Sequence, residues 1–321
     1  MRGILLIVGV FACSTAIIMV QASITHPVLL SAQRLIIAAV ALSPLLLRDL
    51  RRRPGCLSRA HLRRTILPGL MLGLHFITWI IGGRLTGAAN ASLIVNMVPI
   101  AMPFLLHFMI REKLTVGEWG GTALSMIGLL LLAGGDYHLS AEWFIGDVMC
   151  FASMLLFALY LALARRNRDF GSIWSYLVPL YVVGAVACFV AAVALAGVWA
   201  MPGGRGFLQA IGIGQVHPLS VPRPQDWAYA LGLGLIPTVI GHSTLNYSMK
   251  HFGGQTVSIA NLGQFIFAGL LAYAIHSQVP PRLFYLSAMA VVAGAILALR
   301  STPARSKVPP ASKFAPPRSE S

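Results

Sequence analysis

The feature that most limits this chain is a succession of ten apolar runs, each about 18 to 26 residues long and almost free of charge. They cover 3–22, 27–47, 65–86, 88–110, 114–134, 143–164, 172–197, 227–249, 255–276 and 283–300. An α-helix rises 1.5 Å per residue, so about 20 apolar residues cross the roughly 30 Å hydrocarbon core of a bilayer. Backbone in lipid must satisfy its own hydrogen bonds, which leaves helices or closed barrels, and runs of this length select helices. The chain therefore reads as an all-α integral membrane protein with ten transmembrane helices. Arg2 before an apolar run has the outline of a secretory leader, but no clear small-residue cleavage site follows and nine more runs do. Residues 3–22 are therefore taken as span 1.

Composition removes the other classes. Hydrophobic residues make up 57% of the 321 and charged residues 10%, where soluble domains carry roughly 25% charged. That excludes a soluble enzyme, a disordered chain and a disulfide scaffold, and the loops are too short for an independent soluble domain. Cys13, Cys56, Cys150 and Cys188 have neither metal-ligand nor redox spacing. No metal and no cofactor is expected.

A net charge of +15 would fit a nucleic-acid partner if it formed a binding stripe. Instead the basic residues gather in alternate gaps between runs. With the N-terminus inside, nineteen of the 24 Lys and Arg fall on the inner side, seven of them arginines between Arg48 and Arg64. Four fall outside (Arg84, Arg205, Arg223 and Arg282), and Arg34 lies within a span. This is the positive-inside pattern. It predicts a multi-pass protein of the cell's inner (plasma) membrane with both termini cytoplasmic, partnered by lipid and not by nucleic acid. The tail 301–321, rich in Pro, Ser and basic residues, is expected to be disordered, and 198–226 is read as an irregular outer cap.

Internal symmetry adds most. A shift of 166 residues lays Ser92 on Ser258 and Gly128 on Gly294. One further residue lays His75 on His242, and Gly3 opening span 1 matches Gly146 opening span 6. Each half, 1–137 and 138–300, holds five spans. Five is odd, so the second copy enters the membrane upside down, an arrangement with which many secondary transporters build two gates around one midplane site.

The order of these residues resembles the drug/metabolite transporter superfamily, EamA-type. The resemblance rests on Gly3, on Pro27 with Arg34, on Leu74-His75-Phe76 with Trp79, and on Ala91-Ser92 with Pro99 and Glu112. It continues through Gly128, Gly146-Asp147, Gly241-His242 with Asn246, Leu262-Gly263, Pro280 and Gly294. It covers nearly the whole chain and implies a ten-helix carrier of amino acids, related amphipathic metabolites or cationic drugs, with export the commoner direction. Gln264-Phe265 and Gln278 stand where relatives often carry Glu-Pro and Glu, so ion coupling through those acids is not carried over.

Polar groups inside spans are the candidate site residues. Arg34 sits roughly 10 Å below the outer end of span 2, where an arginine faces a partner or a watery cavity, or snorkels to the surface. A substrate carboxylate would serve as its partner. His75 and Trp79, four apart, share one face of span 3, as His242 and Asn246 do in span 8. Asn96, Asn261 and Gln264 add uncharged polar groups at similar depth on spans 4 and 9. With Tyr160, Tyr181 and Tyr273 these residues would line a cavity with apolar walls and a few hydrogen bonds. The competing readings are interhelical hydrogen bonds for the histidines and headgroup anchoring for the aromatics. Asp147, about one turn inside span 6, either settles at the helix N-terminus or pairs with Arg34. Gly117, Gly121 and Ser125 in span 5, like Ala290, Gly294 and Ala298 in span 10, recur every four residues. Such faces pack on each other or form a homodimer seam.

The expected function is secondary transport of a small-molecule substrate by alternating access, with the cavity lined by spans 3, 4, 8 and 9. A membrane enzyme would need clustered acids, a His-x-x-x-His pair or a nucleophile motif, and none is found. A lipid or drug flippase, or a non-transporting membrane subunit of the same fold, is the competing class.

Overall fold

A computed structural model describes residues 2–136, 142–276, 279–280 and 282–301, and all regular structure among them is helical. Of the expected disordered tail, Ser301 closes the last helix and 302–321, like Gln278, lie outside the described residues. Span 1 is Arg2–Ser14 continued by Ala16–Ala22, span 2 is Pro27–Arg52 and span 3 is Arg59–Leu85. Span 4 is Ala88–Val95 with Val98–Ile110, span 5 is Val116–Asp136, span 6 is Phe144–Arg166 and span 7 is Ile173–Ala200. Span 8 joins Pro224–Leu233, a π-helical turn Gly234–His242 and Ser243–His251. Span 9 is Gly254–Asn261 with Gln264–His276, and span 10 is Arg282–Ser301. Among the described residues nine helical stretches are long and apolar enough to cross a membrane; span 9, interrupted at Leu262-Gly263, is outside that set.

Local chemistry sets the helix ends. Pro27 and Pro224 open spans 2 and 8, where the missing N–H costs nothing and the fixed φ suits a first turn. Ser58 accepts the His61 N–H, and Ser172 accepts those of Trp174 and Ser175, so two further helix starts are capped by side chains. Spans 2 and 3 run beyond the apolar limits read from sequence, to Arg52 and from Arg59. Charge ends a membrane span, but it does not end a helix. The expected outer cap is not wholly irregular either: span 7 continues to Ala200 and Gly204–Ala210 forms a short helix behind Gly203, whose φ of 76° suits glycine.

The fold is apolar outside and polar within. Phe108, Phe104, Val190, Ile127 and Leu130 are exposed, whereas Arg34, Ser31, Ser153, Thr238, Ser258 and Asn261 are buried. In water such a surface would aggregate; in a bilayer it is the lipid contact.

Packing between spans follows the repeat. Span 3 lies against spans 6 and 7, while span 8 lies against spans 1 and 2. Span 4 meets span 6 as span 9 meets span 1, and spans 2 and 7, and 5 and 10, pack as mates. For these pairs, exchanging each span with its counterpart five positions on returns the same neighbours. The spans 5–10 contact shows this at atomic scale. A Cβ on Gly128 would collide with the Ser287 carbonyl, and one on Gly294 with the Gly121 carbonyl. A shift of 166 residues converts one pair into the other. The small-residue faces of spans 5 and 10 therefore close on each other within the chain, the first of the two expected alternatives.

Candidate functional site

Spans 4 and 9 break at equivalent points, Asn96-Met97 and Leu262-Gly263. Interrupted helices at matching positions of two repeats are where transporters hold substrate, because backbone and side-chain polar groups there face a cavity. Here the break residues meet. Asn261 Nδ2 donates to Asn96 Oδ1 at 3.5 Å, and Gln264 Nε2 donates to Asn261 Oδ1 at 2.6 Å.

A small cavity of about 30 Å³ adjoins this meeting point. Arg34, His75, Trp79, Asn96, His242 and Gln264, six of the residues expected from sequence, line it together with Cys13, Ala16, Phe76, Val95, Phe157 and Pro237. Span 1 thus contributes wall through Cys13 and Ala16 that the sequence did not point to, and span 6 contributes Phe157, one turn before the expected Tyr160.

Arg34 is 1% exposed. Its Nε donates to Thr238 Oγ1 at 3.1 Å, and the guanidinium carbon stands 3.6 Å from the centroid of Phe76. No carboxylate pairs with it among the described residues, and its Nη1 is buried without a partner. The pairing with Asp147 does not occur: the Asp147 carboxylate accepts from Thr86 at 2.7 Å and Asn90 at 3.5 Å at the start of span 6. A charged arginine inside a bilayer costs at least about 2.5 to 3.5 kcal/mol, so an anionic partner in the cavity would be strongly favoured.

The two histidines face each other, their ring centroids 6.0 Å apart. His75 stacks on Phe157 at 4.7 Å, and Ser153 Oγ lies 2.7 Å from its Nδ1. His242 stands edge-on to Phe76 at 5.0 Å.

The remaining expected residues fall behind the cavity or away from it. Asn246 donates to the His242 carbonyl one turn back and to the Tyr160 hydroxyl, so it ties span 8 to span 6 behind His242. Tyr181 donates to the Thr238 carbonyl at 3.3 Å and lies 3.1 Å from Ser243 Oγ, bracing the π turn from span 7. Tyr273 is 53% exposed on the outside of span 9 and is not part of the cavity. A tyrosine within an apolar run suits either the interior or the lipid face, and sequence position alone did not separate them. Ser153 and Thr238 were missed because small hydroxyl residues are common along membrane helices and usually bond to their own backbone.

The contacts between spans differ at the two faces of the bundle. At the arginine-rich face, Arg165 Nε lies 2.9 Å from Glu112 Oε2 while its Nη1 donates to the Met249 carbonyl at 2.8 Å. Glu112 Oε1 also accepts the Gly254 N–H at 3.3 Å. One buried ion pair thus ties span 4 of the first half to spans 6, 8 and 9 of the second. At the opposite face Asp226 accepts from Ser23 Oγ at 2.9 Å and from the Ile24 N–H at 2.8 Å, joining span 8 to the end of span 1.

Comparison with known proteins gives a consistent result. The model of the EamA-like transporter family matches residues 1–134 and again 144–300, one copy for each half. An uncharacterized transporter of Archaeoglobus fulgidus is 25% identical over 272 residues, covering 83% of this chain and 84% of the relative. The uncharacterized transporter YdfC of Bacillus subtilis is 22% identical, covering 71% and 68% of the two chains. A crystal structure with 16% sequence identity superimposes with a TM-score of 0.70 over 95% of this chain and 99% of the other, a likeness of fold.

Proposed function

The chain belongs to the EamA-like transporter family, within the drug/metabolite transporter superfamily, and from that premise we propose that it exports small metabolites bearing a carboxylate, such as amino acids, by alternating access. The observation that carries the substrate class is Arg34: a cation buried in the cavity wall with no acid beside it and an unpartnered Nη1. A carboxylate would receive the planar fork of the guanidinium, while Phe76, Trp79 and Phe157 offer apolar contact to the rest of the molecule. On the charge asymmetry, the arginine-rich face is the cytoplasmic one, so export starts from the side on which Glu112 and Arg165 tie the two halves together.

The test is counterflow of radiolabelled L-leucine, an apolar amino acid, into liposomes containing only the purified protein, with L-leucinamide as the control lacking a carboxylate. Leucine should accumulate in protein-containing vesicles and leucinamide should not. Equal movement of both, or of neither, would overturn the assignment of a carboxylate substrate.

A further inference from the structure

The π turn of span 8 is built around a proline. Pro237 lacks an N–H, so the Leu233 carbonyl four residues earlier loses its usual helical donor. The i→i+5 pattern of the π turn sets Thr238 opposite that carbonyl, and its hydroxyl donates to it as well, at 2.7 Å. With its hydrogen committed there, the same oxygen can act toward Arg34 only as an acceptor, and it receives the Arg34 Nε–H at 3.1 Å. The turn is held from outside as well, since the Thr238 carbonyl accepts from the Tyr181 hydroxyl at 3.3 Å. Phe76 covers one face of the guanidinium. Arg34 is thereby fixed at Nε and on a ring face, while Nη1 has no protein partner.

Resting on the reading of Arg34 as the carboxylate receptor, we propose that Thr238 is a positioning residue for substrate selectivity: its hydroxyl, oriented by the Pro237 π turn, holds Arg34 Nε so that the Nη edge is presented to a carboxylate. π-Helical insertions are frequent at functional sites, and this one converts a helix defect into a fixed acceptor for a cation in the membrane. A bond to a charged group of this kind changes affinity by about tenfold or more.

The test compares binding of L-leucine and L-leucinamide to the purified full-length carrier, read by thermal shift and by counterflow, for wild type, Thr238→Val, Thr238→Ser and Arg34→Lys. Thr238→Val keeps shape and removes the hydroxyl. It should weaken leucine about tenfold and leave leucinamide unchanged, so that the preference for the carboxylate collapses. Thr238→Ser should restore that preference. A residue that merely supports the fold would lower both affinities together, and that outcome, or an unaltered preference in Thr238→Val, overturns the proposal. Should Thr238→Val not purify as a monodisperse carrier, Thr238→Ala paired with Thr238→Ser gives the same comparison. Failure of the underlying reading looks different: wild type then shows no leucine preference, or Arg34→Lys retains it in full.

Discussion

His75 and His242 are mates in the repeat and face each other at 6.0 Å, yet their hydrogen bonding differs: Ser153 engages Nδ1 of His75, whereas Nδ1 of His242 is buried without a partner. The match of Gly3 to Gly146 places Val10 in the first half where Ser153 stands in the second, and valine offers no hydrogen bond. One histidine is held by the protein, and the other has a ring nitrogen to offer to cavity contents.

That asymmetry separates two substitutions. His75→Ala removes the stacking on Phe157 and the Ser153 contact, so it should destabilise the carrier by about 1 to 3 kcal/mol, visible as a lower Tm. His242→Ala should leave Tm closer to wild type and reduce counterflow by about tenfold, the value of one hydrogen bond of about 1.4 kcal/mol. Cys188→Ala, away from the cavity, should retain most of the flux. A His242→Ala carrier with undiminished flux would remove that residue from the site.

The spans 5–10 contact predicts a matched glycine pair. A Cβ on Gly294 would strike the Gly121 carbonyl and the Ser125 hydroxyl, so Gly294→Ala should cost about 1 to 3 kcal/mol through overpacking. Gly197 has open space around it in span 7, and Gly197→Ala should be neutral or stabilising by up to about 1 kcal/mol. Equal Tm values for the two variants would contradict the close approach.

Glu112 and Arg165 form an ion pair whose side chains are 9% and 4% exposed. Removing one member leaves a buried charge, a loss of about 3 to 5 kcal/mol. Glu112→Gln and Arg165→Met should each lower Tm by more than the double variant does. If the double variant is as unstable as the sum of the two, the ion pair is not what couples the halves at this face.

His26, between spans 1 and 2, is 1% exposed. Burial, with the nearby Arg84 acting in the same direction, takes its pKa from 6.5 down to about 4 against a weaker opposing effect of the Ile213 backbone. The unfolded chain therefore binds a proton at higher pH than the folded one. The stability associated with neutral His26 is complete above pH 6.5 and declines as pH falls toward about 4. Thermal melts of wild type across that window should drop more steeply than those of His26→Gln; parallel curves would exclude the effect.

Much of the fold was legible because lipid enforces it. Runs of apolar residues set the spans, and the odd number per half set the inversion. Arg34, His75, Asn96, His242 and Gln264 stood out because a polar group in an apolar run has few reasons to be there. Phe76 and Phe157 did not stand out, since an aromatic lining a cavity looks like any other apolar residue. Thr238 became visible only through the carbonyl that Pro237 leaves open, a relation that depends on the π turn. The helix breaks have local signals, Pro99 at the start of the helix after Asn96-Met97 and Gly263 within the second break, but the meeting of the two breaks comes from the tertiary packing of spans 4 and 9. Tyr273 shows the reverse error, a polar tip pointed toward lipid.

Alternating access itself is most directly read at Cys13, which lines the cavity on span 1. With Cys56, Cys150 and Cys188 replaced by serine or alanine, Cys13 is the remaining thiol. A membrane-impermeant thiol reagent would be applied to one face of sealed vesicles, then to the other in vesicles of opposite orientation. Labelling of Cys13 from both faces, slowed in each case by L-leucine, is the expected result. Labelling from one face alone, whatever the substrate present, would contradict a cavity that opens to each side in turn.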